Sequence, residues 1–273
     1  MFNIKLENPK ILKTIISAIE GLIDETVIRI ALDKVVINAM DPSKIVLTEI
    51  TLPEETFDDY NVTEPANVPL NLEDLNKILK RVNNSDFLRL SMTENAQKIK
   101  ISAFDPEHQR NREFHLALLD LDIEKADMTT LFDIHYPATA TLSPGLFLEA
   151  LKDCEIYSEI INISATEETL YFKSEGQIGE ANYELFGEYL SNLNVTSDAK
   201  GTYAIEHLKK ILKLIAITEK FSIDVKTDHP INLTFDISTG GTVHYFQAPR
   251  VEEPEFDEEE ILEDLELEEE EAE

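Results

Sequence analysis

The sequence is poor in the residues from which catalytic and metal centres are usually built. It has one cysteine, Cys154, in 273 residues, which excludes a disulfide framework and a cysteine-based zinc site. Its eight glycines form neither a Walker A loop nor a G-x-G-x-x-G turn, so the two common glycine-rich phosphate cradles are absent. The six histidines (His108, His115, His135, His207, His229 and His244) are scattered, with no His-x-x-x-His pair. Apolar runs last only a few residues, far short of the ~20 that span a bilayer. The opening MFNIKLENPK has no basic stretch followed by an apolar one, so no secretory signal is read. These absences lead to the expectation of a soluble intracellular chain with no cofactor. Cys154 itself falls on an apolar helical stripe beside Leu151 and reads as core.

Basic residues are also scarce. There are 24 Lys and Arg against 55 Asp and Glu, a formal charge of −31. Residues 252–273 hold 15 of the acids and no base. The remaining 251 residues keep 40 acids and 24 bases, a net of −16. A uniformly basic nucleic-acid binder is excluded, although a local basic face is not. The apolar fraction of 42% is enough for a core and excludes global disorder. The length fits one large domain or two ordinary ones of ~150 residues.

What the chain does have is repetition. Glu73–Arg81 (EDLNKILKR) and Glu206–Leu214 (EHLKKILKL) agree at six of nine positions with an offset of 133 residues. Alternating apolar residues follow both, Leu88, Leu90 and Met92 in one half and Phe221, Ile223 and Val225 in the other. Period-two alternation marks half-buried strands. One further slip of a residue matches Ile99 and Ile101 to Leu233 and Phe235. The first quarter has the same plan: Ile4 and Leu6 alternate, Ile11, Leu12, Ile15, Ile16 and Ile19 form a helical stripe, and strands run over Val27–Leu32 and Val35–Ala39. In the third quarter Thr139–Leu142 is a strand, Leu146, Phe147, Ala150, Leu151 and Cys154 form the stripe, and Ile160–Ser164 and Thr169–Lys173 are strands. Asn8-Pro9 and Ser143-Pro144 place a capping side chain before a proline at a helix start. The chain therefore reads as α+β: four β-α-β-β-β repeats, two per half, each helix packed on an antiparallel sheet. Residues 119–136 have no strong period and read as a connector between the halves. The boundaries expected are 1–118, 119–136 and 137–251, followed by a disordered acidic tail over 252–273.

Nine of the 24 bases lie on the four helices: Lys10 and Lys13, then Lys77, Lys80 and Arg81, then Lys152, then Lys209, Lys210 and Lys213. On the second helix they oppose the stripe Leu72, Leu75, Ile78, Leu79 and Val82. On the fourth they oppose Ile205, Leu208, Ile211, Leu212 and Ile215. Four such helices on one surface would attract phosphate without reading base sequence.

In order and at matching spacing, ILK at 11–13, NAMDPSKIVL at 38–47, DLNKILKR at 74–81, LLDLD at 118–122 and YFQAPR at 245–250 resemble the proliferating cell nuclear antigen (PCNA) family of archaeal and eukaryotic DNA polymerase sliding clamps. The similarity runs from Met1 to about Val251. It implies a two-domain clamp fold, a trimeric ring of identical or mixed chains with helices lining the hole and sheets outside, and no catalysis. It also implies sequence-independent binding of double-stranded DNA through Lys13, Lys77, Lys80, Arg81, Lys152, Lys209, Lys210 and Lys213. Glu20 and Glu206 stand where relatives are often basic. The strands 110–118 and 178–186 would join neighbouring subunits. A groove for PCNA-interacting peptides would be walled by Met40, Lys44, Ile45, Leu47, Asp122, Ile123, Ala126, Met128, Pro230, Tyr245, Phe246, Gln247, Ala248 and Pro249, with Gln247 replacing the usual apolar residue. Partners implied are DNA polymerase, clamp loader, flap endonuclease and DNA ligase, at the nucleoid of an archaeal-like cell or in a eukaryotic nucleus, with no membrane.

Two other classes fit parts of the sequence. Asp120 and Asp122 flank Leu121 on an extended segment and could hold Mg²⁺, as in a metal-dependent nuclease, but no further acid–histidine constellation accompanies them. The acidic tail alone suits a histone-chaperone-like interaction protein.

Overall fold

The computed structural model describes residues 1–120 and 128–250. The proposed groove residues Asp122, Ile123 and Ala126, half of the Asp120/Asp122 pair, and the tail 252–273 lie outside the described residues.

The chain opens with β1 (Phe2–Leu6), α1 (Lys10–Ile19), β2 (Glu25–Ile30), β3 (Lys34–Met40), β4 (Val46–Pro53) and β5 (Asp59–Val62). Next come β6 (Ala66–Asn71), α2 (Leu72–Leu79), β7 (Phe87–Met92), β8 (Lys98–Asp105) and β9 (Arg110–Ala117). A single helical turn, α3 (Thr129–Phe132), lies in the stretch read as a connector. The order then recurs: β10 (Ala138–Leu142), α4 (Pro144–Glu155), β11 (Ile160–Ala165), β12 (Thr169–Gly176), β13 (Gly179–Phe186) and β14 (Asn192–Val195). Last are β15 (Ala199–Ala204), α5 (Ile205–Ile211), β16 (Phe221–Val225), β17 (Ile231–Asp236) and β18 (Thr242–Gln247). The four repeats are present, and the first and third each gain one strand, β5 and β14, that the sequence reading lacks.

Local chemistry accounts for these elements. In β1, β10 and β16 every second residue is buried, the signature of a strand with one face on a core. Asn8 Oδ1 accepts from the Lys10 amide at 3.1 Å across Pro9, and Asn71 Oδ1 accepts from the Asp74 amide at 3.0 Å. Each satisfies a donor that the first helical turn leaves unpaired. Ser143 Oγ accepts from the Leu146 amide with Pro144 at the first helical position. At the β12–β13 hairpin a Cβ on Gly176 would lie 1.9 Å from the Tyr157 carbonyl oxygen, so only glycine fits there.

All strand pairs are antiparallel, in three sheets ordered β5-β1-β7-β8-β9, β14-β10-β16-β17-β18-β4-β3-β2-β6, and β13-β12-β11-β15. The middle sheet is continuous across the two halves because β18 pairs with β4, from Thr242 opposite Thr51 to Gln247 opposite Val46. The strand registers correct the sequence alignment of the repeats. Leu90 pairs with Ile101 and its counterpart Ile223 pairs with Leu233, so Ile101 corresponds to Leu233 and Ile99 to Ile231. Alternation alone has period two and cannot distinguish alignments that differ by two residues.

The helices lie side by side in the order α2, α1, α5, α4, forming one layer against the sheets. Their stripes and the inner sheet faces make a single buried cluster. Phe147 of α4 packs on Phe172 (ring centroids 5.3 Å apart) and Phe221 (5.4 Å), and Phe221 stacks on Phe235. One stripe residue is corrected. Ile215 is 39% exposed and Leu214 is buried in its place. After Ile211 the helix tightens to three residues per turn over Leu212–Ala216, so the inward position moves from i+4 to i+3.

Candidate nucleic-acid face and partner groove

The nine helix bases are carried on adjacent helices of one layer, but they are not equally free. Lys77 Nζ sits 2.9 Å from Glu73 and 3.2 Å from Asp74, and hydrogen bonding to Glu73 first, then Asp74, raises its pKa. Lys209 reaches from α5 to Glu155 of α4 at 2.7 Å, and Lys210 pairs with Glu206 one turn before it. Lys213 Nζ donates to the Ser17 carbonyl at 2.8 Å, tying the two halves together across α1. Lys13 Nζ donates to the Val82 carbonyl and to Asn84 Oδ1 (3.0 Å). Burial lowers its pKa, and the Asp86 carboxylate acts in the opposite direction. Lys10, Lys80, Arg81 and Lys152 are exposed and make no ion pair with any described residue. Over these helices seven acids (Glu20, Glu73, Asp74, Glu149, Asp153, Glu155 and Glu206) accompany the nine bases. The layer is thus close to neutral on a body of net −16, and its available positive charge is concentrated in four side chains.

The two acids at positions often basic in relatives have local partners. Glu20 Oε2 accepts from Asn76 Nδ2 at 3.0 Å and links α1 to α2, while Glu206 holds Lys210. Asp86 has a fully buried side chain that pairs with Arg112 of β9, whose guanidinium also donates to the Arg81 carbonyl at 2.6 Å. This pair fastens the end of α2 to β9.

Apart from the main core, Leu47 of β4, Phe246 of β18 and Met128 form a small separate apolar cluster against which Leu131 packs. Phe132 of α3 stands edge-on to Phe246 (5.5 Å) and to His244 (5.0 Å) and is 44% exposed. Met40 (41%) and Ile45 (38%) expose apolar surface nearby. A cavity of about 550 Å³ opens beside Ile45, Ala248, Pro249 and Glu159. The Ala248 amide donates to the Ile45 carbonyl at 2.8 Å, holding the floor together. Pro230 is half-buried, and its carbonyl accepts from the Tyr136 hydroxyl at 2.8 Å.

Of the expected wall residues here, Gln247 lines this cavity and Tyr245 does not. Tyr245 and Gln247 are fully buried, with the Tyr245 hydroxyl donating to Gln247 Oε1 at 2.8 Å and Gln247 Nε2 donating to the Ala204 carbonyl at 3.1 Å. Strand alternation sends Phe246 outward and its two neighbours inward. Leu131, Phe132 and His244 belong to the site and are missed by the sequence reading. The only trace of the first two in the sequence is an apolar pair within an otherwise polar stretch.

Lys44 stands in the β3–β4 turn with φ +58. That turn is organised by Asp41, whose carboxylate accepts from the Val46 amide (2.6 Å), the Ser43 amide (3.2 Å) and the Ser43 hydroxyl. Burial pushes the Asp41 pKa up, but hydrogen bonds from Ser43, Val46 and Ile45 outweigh it and hold it below its usual value. Burial pushes the Cys154 thiol up to about 11, with Asp153 adding to the effect, in keeping with a core residue and not a nucleophile. Among the described residues no group of three or more His, Cys, Asp or Glu side chains could hold a metal ion, and no helix is long and apolar enough to cross a membrane.

Comparison with known proteins accounts for nearly the whole chain. Residues 1–127 match the family model "Proliferating cell nuclear antigen, N-terminal domain" and residues 130–250 its C-terminal counterpart. A DNA polymerase sliding clamp of Thermococcus gammatolerans is 30% identical over 255 residues, covering 92% of this chain and 99% of that protein. Clamps of Pyrococcus furiosus (29%) and Methanothermobacter thermautotrophicus (28%) cover the same shares. The crystal structure of PCNA from Thermococcus kodakaraensis superposes with a TM-score of 0.85 at 26% identity, covering 92% of this chain and all of that one. Two duplicated halves, one helix layer, sheets behind it and full-length relatives that are sliding clamps place this chain in the proliferating cell nuclear antigen family.

Proposed function

We propose that the chain works as a ring that encircles duplex DNA and tethers DNA polymerase as a processivity factor, with no chemistry of its own. The observation that carries this reading is the pairing pattern of the sheets. Each half contributes one run of five strands and one of four in the same order, and β18 of the second half joins β4 of the first to make the nine-stranded sheet. Their counterparts, β9 and β13, end their sheets with no partner strand on the outer edge among the described residues. An unpaired edge is a liability, and joining it to the next chain repeats the internal junction head to tail. Repeated around a closed ring, the helix layers face the hole. Lys10, Lys80, Arg81 and Lys152 then meet phosphate, while the paired lysines add little net charge. Contacts of this kind are screened by salt and do not read sequence, which suits sliding. Residues 1–118 and 137–251 would be the two clamp domains, joined by 119–136.

The apolar groove bounded by Met40, Ile45, Leu47, Met128, Leu131, Phe132 and Phe246 is the docking site for peptides of polymerase, clamp loader, flap endonuclease and ligase. Aromatic and aliphatic anchors suit such a groove, since a few buried side chains carry most of the binding energy of a peptide interface. Replacing the exposed Ile45 by Asp is expected to cost ~2 kcal/mol or more, about 30-fold in peptide affinity, without altering the ring. Titration of a fluorescent peptide checks this, and wild-type affinity would refute the placement.

The ring itself is tested by topology. Loaded onto nicked circular duplex by a clamp loader, the protein should remain bound through gel filtration in moderate salt. It should be lost when a restriction enzyme linearises the circle. Equal retention on linear and circular DNA would rule out encirclement.

A further inference from the structure

The last described residues of the chain lie at the partner groove. Gln247 stands opposite Val46 of β4, the Ala248 amide donates to the Ile45 carbonyl at 2.8 Å, and the Arg250 amide donates to the Thr202 carbonyl at 2.7 Å. Ala248, Pro249 and Arg250 line the cavity beside Ile45. The acidic stretch 252–273 therefore starts at the groove wall. Its acids are interrupted by Phe256, Ile261, Leu262, Leu265 and Leu267. A stretch that only added charge would have no use for them. Ile261, Leu262 and Leu265 are spaced i, i+1 and i+4, which in a helix puts them on one face.

The groove offers the matching surface. Met40, Ile45 and Phe132 expose apolar area around the cluster of Leu47, Phe246 and Met128, and an amphipathic segment fills such a groove through anchors at this spacing. Ile261 follows Arg250 by 11 residues, a reach of up to ~36 Å when extended, enough to fold back over the wall that the chain has just left. Building on the reading of this groove as the docking site for partner peptides, we infer that the segment bearing Ile261, Leu262 and Leu265 occupies it as a built-in competitor, which partner peptides must displace. Apolar contact holds the segment, not charge. The cavity contains Glu155, Glu159 and Glu206 beside Arg250, and residues 1–251 carry a net −16, so repulsion keeps the contact weak and reversible. Tethering compensates by supplying a local concentration on the order of 1 mM. A contact with a dissociation constant of ~0.1–0.5 mM then raises the apparent dissociation constant of a partner peptide ~3- to 10-fold. Because salt screens the repulsion, the competition strengthens with ionic strength.

Three forms of the protein test this. One is the full chain. The second ends at Arg250, where the family-model match also ends. The third is the full chain with Ile261→Ser, Leu262→Ser and Leu265→Ser, which keeps all 15 acids of the stretch. Each is titrated with one fluorescent PCNA-interacting peptide of zero net charge, at low and at moderate salt. The truncated and serine forms should both bind it ~3- to 10-fold more tightly than the full chain, with the larger difference at moderate salt. A synthetic peptide of residues 252–273, added to the truncated form, should displace the fluorescent one. Equal affinity in all three forms overturns the inference. A gain on truncation that the serine form does not share also overturns it, since the stretch would then act by repulsion alone. Failure of the fluorescent peptide to bind any form is a different result, which overturns the groove reading itself and this inference with it.

Discussion

Replacing Lys80, Arg81 and Lys152 together by glutamate is expected to abolish stimulation of primer extension while leaving the thermal transition and the ring intact. All three are exposed and oppose the buried stripes, so the core packing is untouched. With Lys10, they are cations of the helix layer that have no carboxylate partner among the described residues. Each substitution removes an attraction for phosphate and adds a repulsion, in every subunit. The dependence of DNA binding on salt should flatten by ~1 in log–log slope for each phosphate that is no longer neutralised. Reversing Lys77 and Lys210 instead should have a smaller effect. Their charge is already largely offset by Glu73, Asp74 and Glu206, and exposed pairs of this kind contribute little to stability. Unchanged stimulation by the triple variant at physiological salt would remove the helix layer from the DNA-binding role.

The second large effect concerns ring closure. Phe114→Asp and Ala181→Asp each place a charge in the half-buried face of one edge and leave the other edge of the same chain untouched. Each variant alone should be monomeric, because every seam it could form contains the altered strand. An equimolar mixture should form heterodimers and go no further. The intact β13 of the Phe114→Asp chain can pair with the intact β9 of the Ala181→Asp chain, and the remaining two edges would bring Asp against Asp. Light scattering on the mixture separates a head-to-tail seam from a self-symmetric one, which would not be rescued by mixing. Phe114 packs partly against the core, so some loss of stability is expected for that variant. Ala181→Asp makes the same test with less core disturbance. Rings formed by either single variant would overturn the assignment of these edges.

The helices and most strands are legible in the sequence because each signal is local. A stripe such as Leu12, Ile15, Ile16 and Ile19 has helical period and nothing else, and Ser143-Pro144 marks a start regardless of what surrounds it. Sequence and structure part where a local period is altered or ambiguous. Ile215 reads as inward because the tightening of the helix after Ile211 leaves no trace in the hydrophobic pattern. Ile99 aligns with Leu233 in the sequence because two-residue periodicity admits both registers. The additional strands β5 and β14 are short and partly exposed, and their alternation is too weak to read.

By itself the sequence determined that this protein is a twice-duplicated α+β chain, that each helix opposes an apolar stripe with bases, and that the whole resembles a sliding clamp. The tertiary structure decided which of those bases are available. Lys77 and Lys210 pair with Glu73 and Glu206 one turn away, at a spacing already present in the sequence, whereas Lys209 reaches Glu155 on a neighbouring helix, a pairing that only the fold brings about. It also decided that Phe246 and not Tyr245 faces the groove, and that Leu131 and Phe132 join it, because a groove is assembled from segments far apart in sequence. Finally, it identified β9 and β13 as edge strands with no outer partner among the described residues. A strand's edge is free or paired only relative to the rest of the sheet, and that relation exists only once the chain has folded.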